Sequence, residues 1–374
     1  MNNPILPGAT LGVLGGGQLG RMFCVAARTM GYHLVVLDPD AESPAGKIAD
    51  KHIKAGYTDN SALDEFANLC DVITTEFENV PAESLRYLAK SKPVYPSAES
   101  LEIAQNRDRE KQYAKSAGLK PVPYKSILSV DDLDAAAEEV DFPAILKSAT
   151  LGYDGKGQVV VASSDELKAA YANMGQAECV LEKKIDLFIE ISAIVSRNPD
   201  GEAVSYPVSE NQHRNGVLHM SIVPARVDSA IADEARKQTI ALADKMQYVG
   251  ILAVEYFVST DGELLFNEMA PRPHNSGHYT KDACVTSQFD QQVRMMCGLT
   301  PGDTRLLSPV VMVNMLGDLW DPDWKSILDQ QGIKLHLYGK KEARPGRKMG
   351  HFNVLDVSLD EAINTAEKVF DALA

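Results

Sequence analysis

From Thr10 to Thr75 the chain alternates short apolar runs with amphipathic stretches, and that alternation leaves few folds open. Thr10 to Leu14 reads as a strand running into Gly15-Gly16-Gly17. Gln18 to Met30 then carries helical spacing through Leu19, Met22, Phe23, Ala26 and Ala27, with Gly31 as a natural stop. His33 to Leu37 is the next strand and ends at Asp38. Asp59-Asn60-Ser61 can cap a helix over Leu63, Phe66 and Leu69, and Val72 to Thr75 is a further strand. Strands separated by helices form a doubly wound parallel sheet with helices on both faces.

A boundary is expected between Pro96 and Asn106, where the alternation stops. A helix over Asp108 to Ala117 ends at Gly118, and a strand-rich stretch runs from Cys179 to Pro224. A helix from Ser229 to Met246 leads into a hairpin at Gly250 to Met269. A last helix, Ser358 to Leu373, closes a small unit that starts near Pro309. The expected division is therefore 1–105, 106–308 and 309–374, an α/β domain followed by α+β parts, which suits 374 residues.

The formal charge of −15 repels phosphodiester backbones, so nucleic acid is not an expected partner. Any anionic small substrate needs a local cation cluster, and Lys340, Lys341, Arg344, Arg347 and Lys348 around Pro345-Gly346 supply one. Five scattered cysteines without C-x-x-C spacing argue against a disulfide framework or thiolate zinc site and fit a reducing compartment. No apolar run is long enough to span a bilayer, so no membrane partner is expected and cytoplasm is the expected location.

Gly15-x-Gly17-x-x-Gly20 lies between strand and helix, and Asp38 ends the next strand. Alone, this is a dinucleotide fingerprint, or a tight turn without any ligand. Its physics identifies a phosphate site, not a nicotinamide.

The most informative segment for chemistry runs from Val254 to Glu268. Asp261-Gly262 between apolar runs signals a two-residue hairpin turn. That register pairs Ser259 with Leu264, Phe257 with Phe266 and Glu255 with Glu268 on one face. Two glutamates with Cβ atoms about 5 Å apart repel each other unless one is protonated or a cation holds both. Hard oxygen ligands of this kind suit Mg²⁺, which takes one or two carboxylates plus substrate phosphates. The plainer reading is a frayed hairpin with solvated glutamates, against which the flanking phenylalanines argue burial.

A second glycine-rich loop, Gly152-Tyr153-Asp154-Gly155-Lys156-Gly157-Gln158, follows an apolar strand that ends in Lys147. It does not open a helix, so it is not a Walker loop. It reads as a flap over polyphosphate or as a bare hairpin tip.

Together these residues resemble the 5-(carboxyamino)imidazole ribonucleotide synthases of the ATP-grasp superfamily. The resemblance is carried, in order, by GGGQLGRM at Gly15 to Met22, LGYDGKGQ at Leu151 to Gln158 and EKKIDLFIEISAIVSR at Glu182 to Arg197. It continues through NQHRNGVLH at Asn211 to His219, NEMAPRPHNSGHYT at Asn267 to Thr280 and RPGRKMGHFN at Arg344 to Asn353. It implies an N-terminal doubly wound domain, a central ATP-grasp domain, a small C-terminal domain and a homodimer. By the resemblance, Arg107 and Lys147 contact ATP phosphates under the Gly152 to Gln158 flap. The backbone of Glu182, Lys183, Lys184 and Ile185 reads adenine, Glu190 holds the ribose, and His213 lines the pocket. Asn267 and Glu268 complete the nucleotide site, with Glu255 and Glu268 on Mg²⁺. Two departures stand out: Ala270 occupies a position where many ATP-grasp enzymes carry a third ligand, Asn, and Gln105-Asn106-Arg107 replaces Gln-Asp-Arg.

In this reading bicarbonate attacks the γ-phosphate of ATP, and the amine of aminoimidazole ribonucleotide captures the carboxyl group from carboxyphosphate. Arg272 pairs with the planar carbonate, which His274 and Asn275 orient; otherwise His274 is a structural histidine. Lys340 and Arg347 hold the substrate phosphate, and Tyr153 and Asp154 reach the substrate from the flap. Gln18, Leu19 and either Glu76 or Glu78 meet its ribose phosphate and hydroxyls. The competing expectations are a formate-using or biotin-carboxylating ATP-grasp enzyme, a nicotinamide-dependent dehydrogenase and a non-catalytic nucleotide-binding regulator.

Overall fold

The computed structural model describes residues 3–150, 152, 157–320 and 324–373. The first unit contains β1 (Thr10–Leu14), α1 (Gln18–Thr29), β2 (His33–Leu37), β3 (Lys51–Ile53), α2 (Asn60–Leu69), β4 (Val72–Thr75), α3 (Ala82–Ala89) and β5 (Val94–Tyr95). Its five strands are all parallel, in the order β3-β2-β1-β4-β5. Both faces are covered, which is why the strands read as unbroken apolar runs. The Leu19, Met22, Phe23 and Ala26 stripe of α1 packs on one face, and Leu63, Phe66 and Leu85 pack on the other. Asp59 caps α2 as expected, its carboxylate accepting from the Ala62 N–H at 3.1 Å.

α4 (Ala98–Ala104) and α5 (Arg107–Ser116) follow. Asn106 is the N-cap of α5, its side-chain oxygen accepting from the Asp108 and Arg109 N–H groups, so the helix starts one residue before the expected Asp108. A four-stranded antiparallel sheet comes next, from β6 (Tyr124–Ile127), β7 (Ala144–Ser148), β8 (Gln158–Val161) and β9 (Cys179–Lys183), ordered β6-β9-β7-β8. Helices α6 (Leu133–Glu139) and α7 (Ser164–Asn173) back it through Leu133, Leu167 and Tyr171.

The largest layer collects β10 (Leu187–Arg197), β11 (Ala203–Ser205), β12 (Ser209–Arg214), β13 (Val217–Val223), β14 (Gly250–Ser259) and β15 (Leu264–Ala270). Helix α8 (Ser229–Lys245) packs beneath β10 and β14. After α9 (Thr280–Ala283) and α10 (Gln288–Met296), the chain adds β16 (Val310–Leu316), β17 (Ile333–Leu337), β18 (Lys348–Leu355) and α11 (Leu359–Leu373). The order is β15-β14-β10-β12-β13-β16-β18-β17, with β11 on β10. The strands after Pro309 therefore extend this sheet, β16 pairing with β13 at Met220↔Val313, and they cover what would otherwise be an open edge.

The β14–β15 hairpin departs from its expected register. Ser259 N–H donates to Glu263 O at 3.0 Å and Gly262 N–H to Ser259 O at 2.9 Å. The loop thus holds three residues, Thr260 to Gly262, with Gly262 at φ +84°. A three-residue loop with glycine in the left-handed position replaces the expected two-residue turn. Val258 consequently faces Leu264, Phe257 faces Leu265, and Tyr256 faces Phe266. The expected Phe257–Phe266 and Ser259–Leu264 pairs do not form. Tyr256 and Phe266 instead meet edge to face at 6.4 Å in the core under α8. A register shift between Glu255 and Tyr256 then restores the predicted Glu255↔Glu268 pair.

Candidate active site

Strand order reverses between β1 and β4, and the crevice beyond their carboxyl ends is where such sheets bind ligands. Here it opens into a cleft of about 720 Å³. The glycine loop does not present free amides to it at Gly16, Gly17 or Gly20. Glu76, leaving the end of β4, accepts from the Gly17 N–H and, at 2.6 Å, from the Gly20 N–H. Asp38 accepts from Gly16 N–H and Tyr57 O–H, each at 2.7 Å. A Cβ on Gly15 or Gly17 would stand 2.5 Å from the Glu76 side chain, so these glycines admit a carboxylate in place of a pyrophosphate. With Asp38 buried and engaged, the dinucleotide reading loses both its phosphate cradle and its ribose partner.

Glu255 and Glu268 line the same cleft. Burial, and then the charge of Glu268, push the Glu255 carboxyl well above the usual range. Burial also acts to raise Glu268, but Arg107, donating to its Oε2 at 2.8 Å, and Lys147 hold it down. An unbalanced carboxylate pair is one that a divalent cation would neutralise. Beside it the side-chain oxygen of Asn267 is buried without a hydrogen-bond partner. Both observations fit Mg²⁺. Among the described residues no group of three or more His, Cys, Asp or Glu forms a metal cage, so further ligands would come from phosphates and water.

The residues expected around ATP fall into two facing layers. On the large sheet, Glu190 pairs in register with Phe257, two positions from the Ser192↔Glu255 pair, which puts Glu190 on the Glu255 face. His213 Nδ1 lies 2.7 Å from Glu190. Burial would lower this imidazole, but Glu190 outweighs it and raises its pKa. On the four-stranded sheet, Lys147 reaches Glu182 at 2.6 Å, and Lys111 reaches the other oxygen at 2.9 Å. Burial would raise Glu182, but the two ammonium groups hold it at about 2. Lys183 pairs with Asp141 at 2.9 Å, while Lys184 donates its N–H to Pro143 O at 3.1 Å. Ile185 follows β9, and Gln158 is exposed on β8 beside Gly157, whose φ is +72°. Gly152 lines the cleft. Tyr153, Asp154, Gly155 and Lys156 lie outside the described residues.

Gln18, Leu19, Glu76, Glu78, Arg272, His274, Asn275, Lys340 and Arg347 all reach the cleft, although they come from all three parts of the chain. Arg272 grips Glu78 through two nitrogens, one pair at 3.0 Å. Burial would raise the Glu78 carboxyl, but Arg272 keeps it at about 2. His274 is pushed down to about 3 by burial and by Arg272 and Lys348. Its Nδ1 accepts from the Ser276 N–H at 3.3 Å, so the neutral ring carries its proton on Nε2, 3.7 Å from Glu255. Both polar atoms of the Asn275 side chain are buried without partners. Lys340 donates to Lys348 O at 2.7 Å, and Arg347 to Glu342 O at 2.9 Å. Of the basic cluster, Lys341 leaves the group and pairs with Glu42 at 2.7 Å.

Sequence reading missed Gln105, whose amide donates to Glu78 O at 2.6 Å and Val80 O at 2.9 Å. It also missed Glu110 and Lys111, both buried. A signal was present: on α5 they occupy the inward helical stripe with Arg107 and Ala114, where apolar residues belong.

Known proteins share this sequence and fold along nearly the whole chain. The ribonucleotide synthetase preATP-grasp domain matches residues 8–105, the ATP-grasp domain 112–289, and the phosphoribosylaminoimidazole carboxylase C-terminal domain 310–365. The N5-carboxyaminoimidazole ribonucleotide synthase of Bacillus subtilis is 45% identical over 96% of this chain and 94% of its own length. That of Brucella melitensis is 44% identical over 92% and 96%. A solved N5-carboxyaminoimidazole ribonucleotide synthetase with ADP superposes at TM-score 0.95, with 45% identity over 99% of this chain and 98% of that one. The Aspergillus clavatus enzyme with ADP and 5-aminoimidazole ribonucleotide superposes at 0.90, with 30% identity over 98% of each chain. By sequence along nearly its whole length and by fold, the chain belongs to the N5-carboxyaminoimidazole ribonucleotide synthases, ATP-grasp ligases of purine biosynthesis that form a C–N bond.

Proposed function

We propose that this chain uses ATP and bicarbonate to carboxylate the exocyclic amine of 5-aminoimidazole ribonucleotide, giving ADP and phosphate. The observation that carries this reading is one continuous cleft that holds the Glu255/Glu268 pair, the Arg272-to-Asn275 segment and the basic turn at Lys340 and Arg347. A nucleotide triphosphate, a carbonate and a ribose phosphate each find groups of the right charge within it. Mg²⁺ held by Glu255 and Glu268 would neutralise the ATP phosphates.

A bicarbonate oxygen attacks the γ-phosphorus, and the bond to the β-phosphate oxygen breaks, releasing ADP. Lys147 and Arg107 stabilise charge on the transferred group. The amine then attacks the carboxyl carbon of carboxyphosphate, the C–N bond forms, and phosphate departs with the amine proton. Arg272 and the Nε2–H of His274 orient the carboxyl oxygens, and the unpartnered Asn275 amide completes that cradle. Lys340 and Arg347 bind the substrate phosphate, and Gln18, Leu19, Glu76 and Glu78 face its ribose. Glu182 to Ile185, Glu190, His213 and Asn267 enclose the adenosine half of ATP.

The reading divides the chain at 105/106 and 308/309 and includes a cytoplasmic homodimer. No helix among the described residues is long and apolar enough to cross a membrane.

ADP release with ATP and bicarbonate tests the function directly. Addition of aminoimidazole ribonucleotide should accelerate it strongly; a rate indifferent to that nucleotide would overturn the substrate. In the same assay Arg347→Ala should raise the KM for the ribonucleotide about 10- to 100-fold, the loss of one charge-assisted phosphate contact, with the KM for ATP nearly unchanged. Equal shifts in both constants would show that the basic turn serves something other than the substrate phosphate.

A further inference from the structure

The register of β15 sets which way Glu268 points. Counting from Val258↔Leu264 through Tyr256↔Phe266, an uninterrupted ladder would bring Asn267, not Glu268, opposite Glu255. Glu268 would then project from the other face of the sheet, because side chains alternate. The inserted residue at Asn267 is what turns Glu268 toward its partner.

A bulge leaves backbone groups out of the ladder, and β15 is also an edge strand, so its outer amides and carbonyls need partners from elsewhere. At Phe266 these come from main chain: Phe266 N–H donates to Lys120 O at 2.7 Å, and Val122 N–H to Phe266 O at 3.0 Å. Beyond it they come from two adjacent side chains of α5. Lys111 Nζ donates to Asn267 O at 3.1 Å, and Met269 N–H donates to Glu110 Oε1 at 2.6 Å. The groups on either side of Glu268 are thus gripped from one helix. Lys111 also ties the grip to Glu182 across the facing sheet. Glu110 is 2% exposed and Lys111 0%, so water does not substitute for either contact.

We propose that Glu110 and Lys111 are positioning residues that hold the bulge at Asn267 and thereby aim Glu268 at Glu255. The inference rests on the reading of those two glutamates as the Mg²⁺ pair, but the bulge itself can be tested apart from it. Glu110→Gln keeps a side-chain oxygen for the Met269 amide, and Glu110→Leu removes it at similar size.

Mn²⁺ titrated into the full-length protein with ADP, with free Mn²⁺ followed by electron paramagnetic resonance, reads the metal pair without turnover. The Gln variant should bind Mn²⁺ within about twofold of the unaltered protein and the Leu variant at least tenfold more weakly, the weight of one buried hydrogen bond. Metal-free ADP affinity should change less than twofold in both. Unaltered Mn²⁺ affinity in a folded Leu variant, or equal losses in both variants, overturns the proposal.

Hydrogen exchange at the Met269 amide in the unaltered protein provides the second reading, and it applies even where the Leu variant does not fold. That amide should be protected like those of the β14–β15 ladder; exchange at surface rates overturns the clamp. Failure of the metal reading looks different: Glu268→Gln would leave Mn²⁺ affinity unchanged while Met269 stays protected.

Discussion

Glu268→Gln is expected to lower ADP formation about 10³-fold, or about 4 kcal/mol of transition-state stabilisation, in a protein that still folds. Glu268 meets Arg107 on one side and faces Glu255 on the other. The amide keeps an oxygen for Arg107, so the contact between α5 and β15 survives in weakened form. What disappears is the negative charge on which the proposed divalent-cation site at Glu255 and Glu268 depends. Burial and then the charge of Glu268 raise Glu255, so removing that charge relieves only the second cause and leaves one carboxylate where phosphoryl transfer needs a firmly held ion. Raising Mg²⁺ should restore little of the rate, because the arrangement of the bound phosphates changes as well as the affinity. Steady-state ADP formation across a Mg²⁺ series, with circular dichroism to verify folding, checks this. Near-normal hydrolysis would remove Glu268 from the metal site.

The parallel sheet was legible because its strands are buried on both faces and its helices carry clean stripes; β1, β2, β4 and α1 fall where periodicity puts them. The glutamate pair was legible too, although through two compensating departures: a longer turn shifts the register by one, and the bulge at Asn267 shifts it back. Pattern rules see residue types and short spacings, so a change in turn length one residue from Asp261 was invisible. The glycine loop shows the opposite limit. Its spacing suits a phosphate, but the occupants of its amides are Glu76 and Asp38, 56 and 22 residues away from Gly20 and Gly16. Contacts at such separations, like Glu110 to Met269 at 159, are products of the folded topology and leave no local pattern. The continuation of the central sheet into β16 to β18 was hidden for the same reason.

The sequence assigns Arg272 to carbonate and either Glu76 or Glu78 to the ribose, and the structure places Arg272 and Glu78 in direct contact. The contact is structural as it stands, and mutation can separate that role from the proposed one toward the substrates. Arg272→Met should destabilise the protein by about 3 kcal/mol, because it strands a carboxylate that Arg272 now holds ionised. It should also lower carboxylation at least 10²-fold. In Glu78→Gln/Arg272→Met the stranded charge is gone, and most of the lost stability should return while the activity does not. Urea unfolding and ribonucleotide-dependent ADP formation on both single variants and the double variant complete the cycle. Stability and activity recovering together would make the ion pair a purely structural bridge between β4's following loop and the segment after β15. Recovery of stability alone, with Glu78→Gln by itself retaining activity, leaves Arg272 with a role toward the carboxyl group that no neighbouring residue supplies.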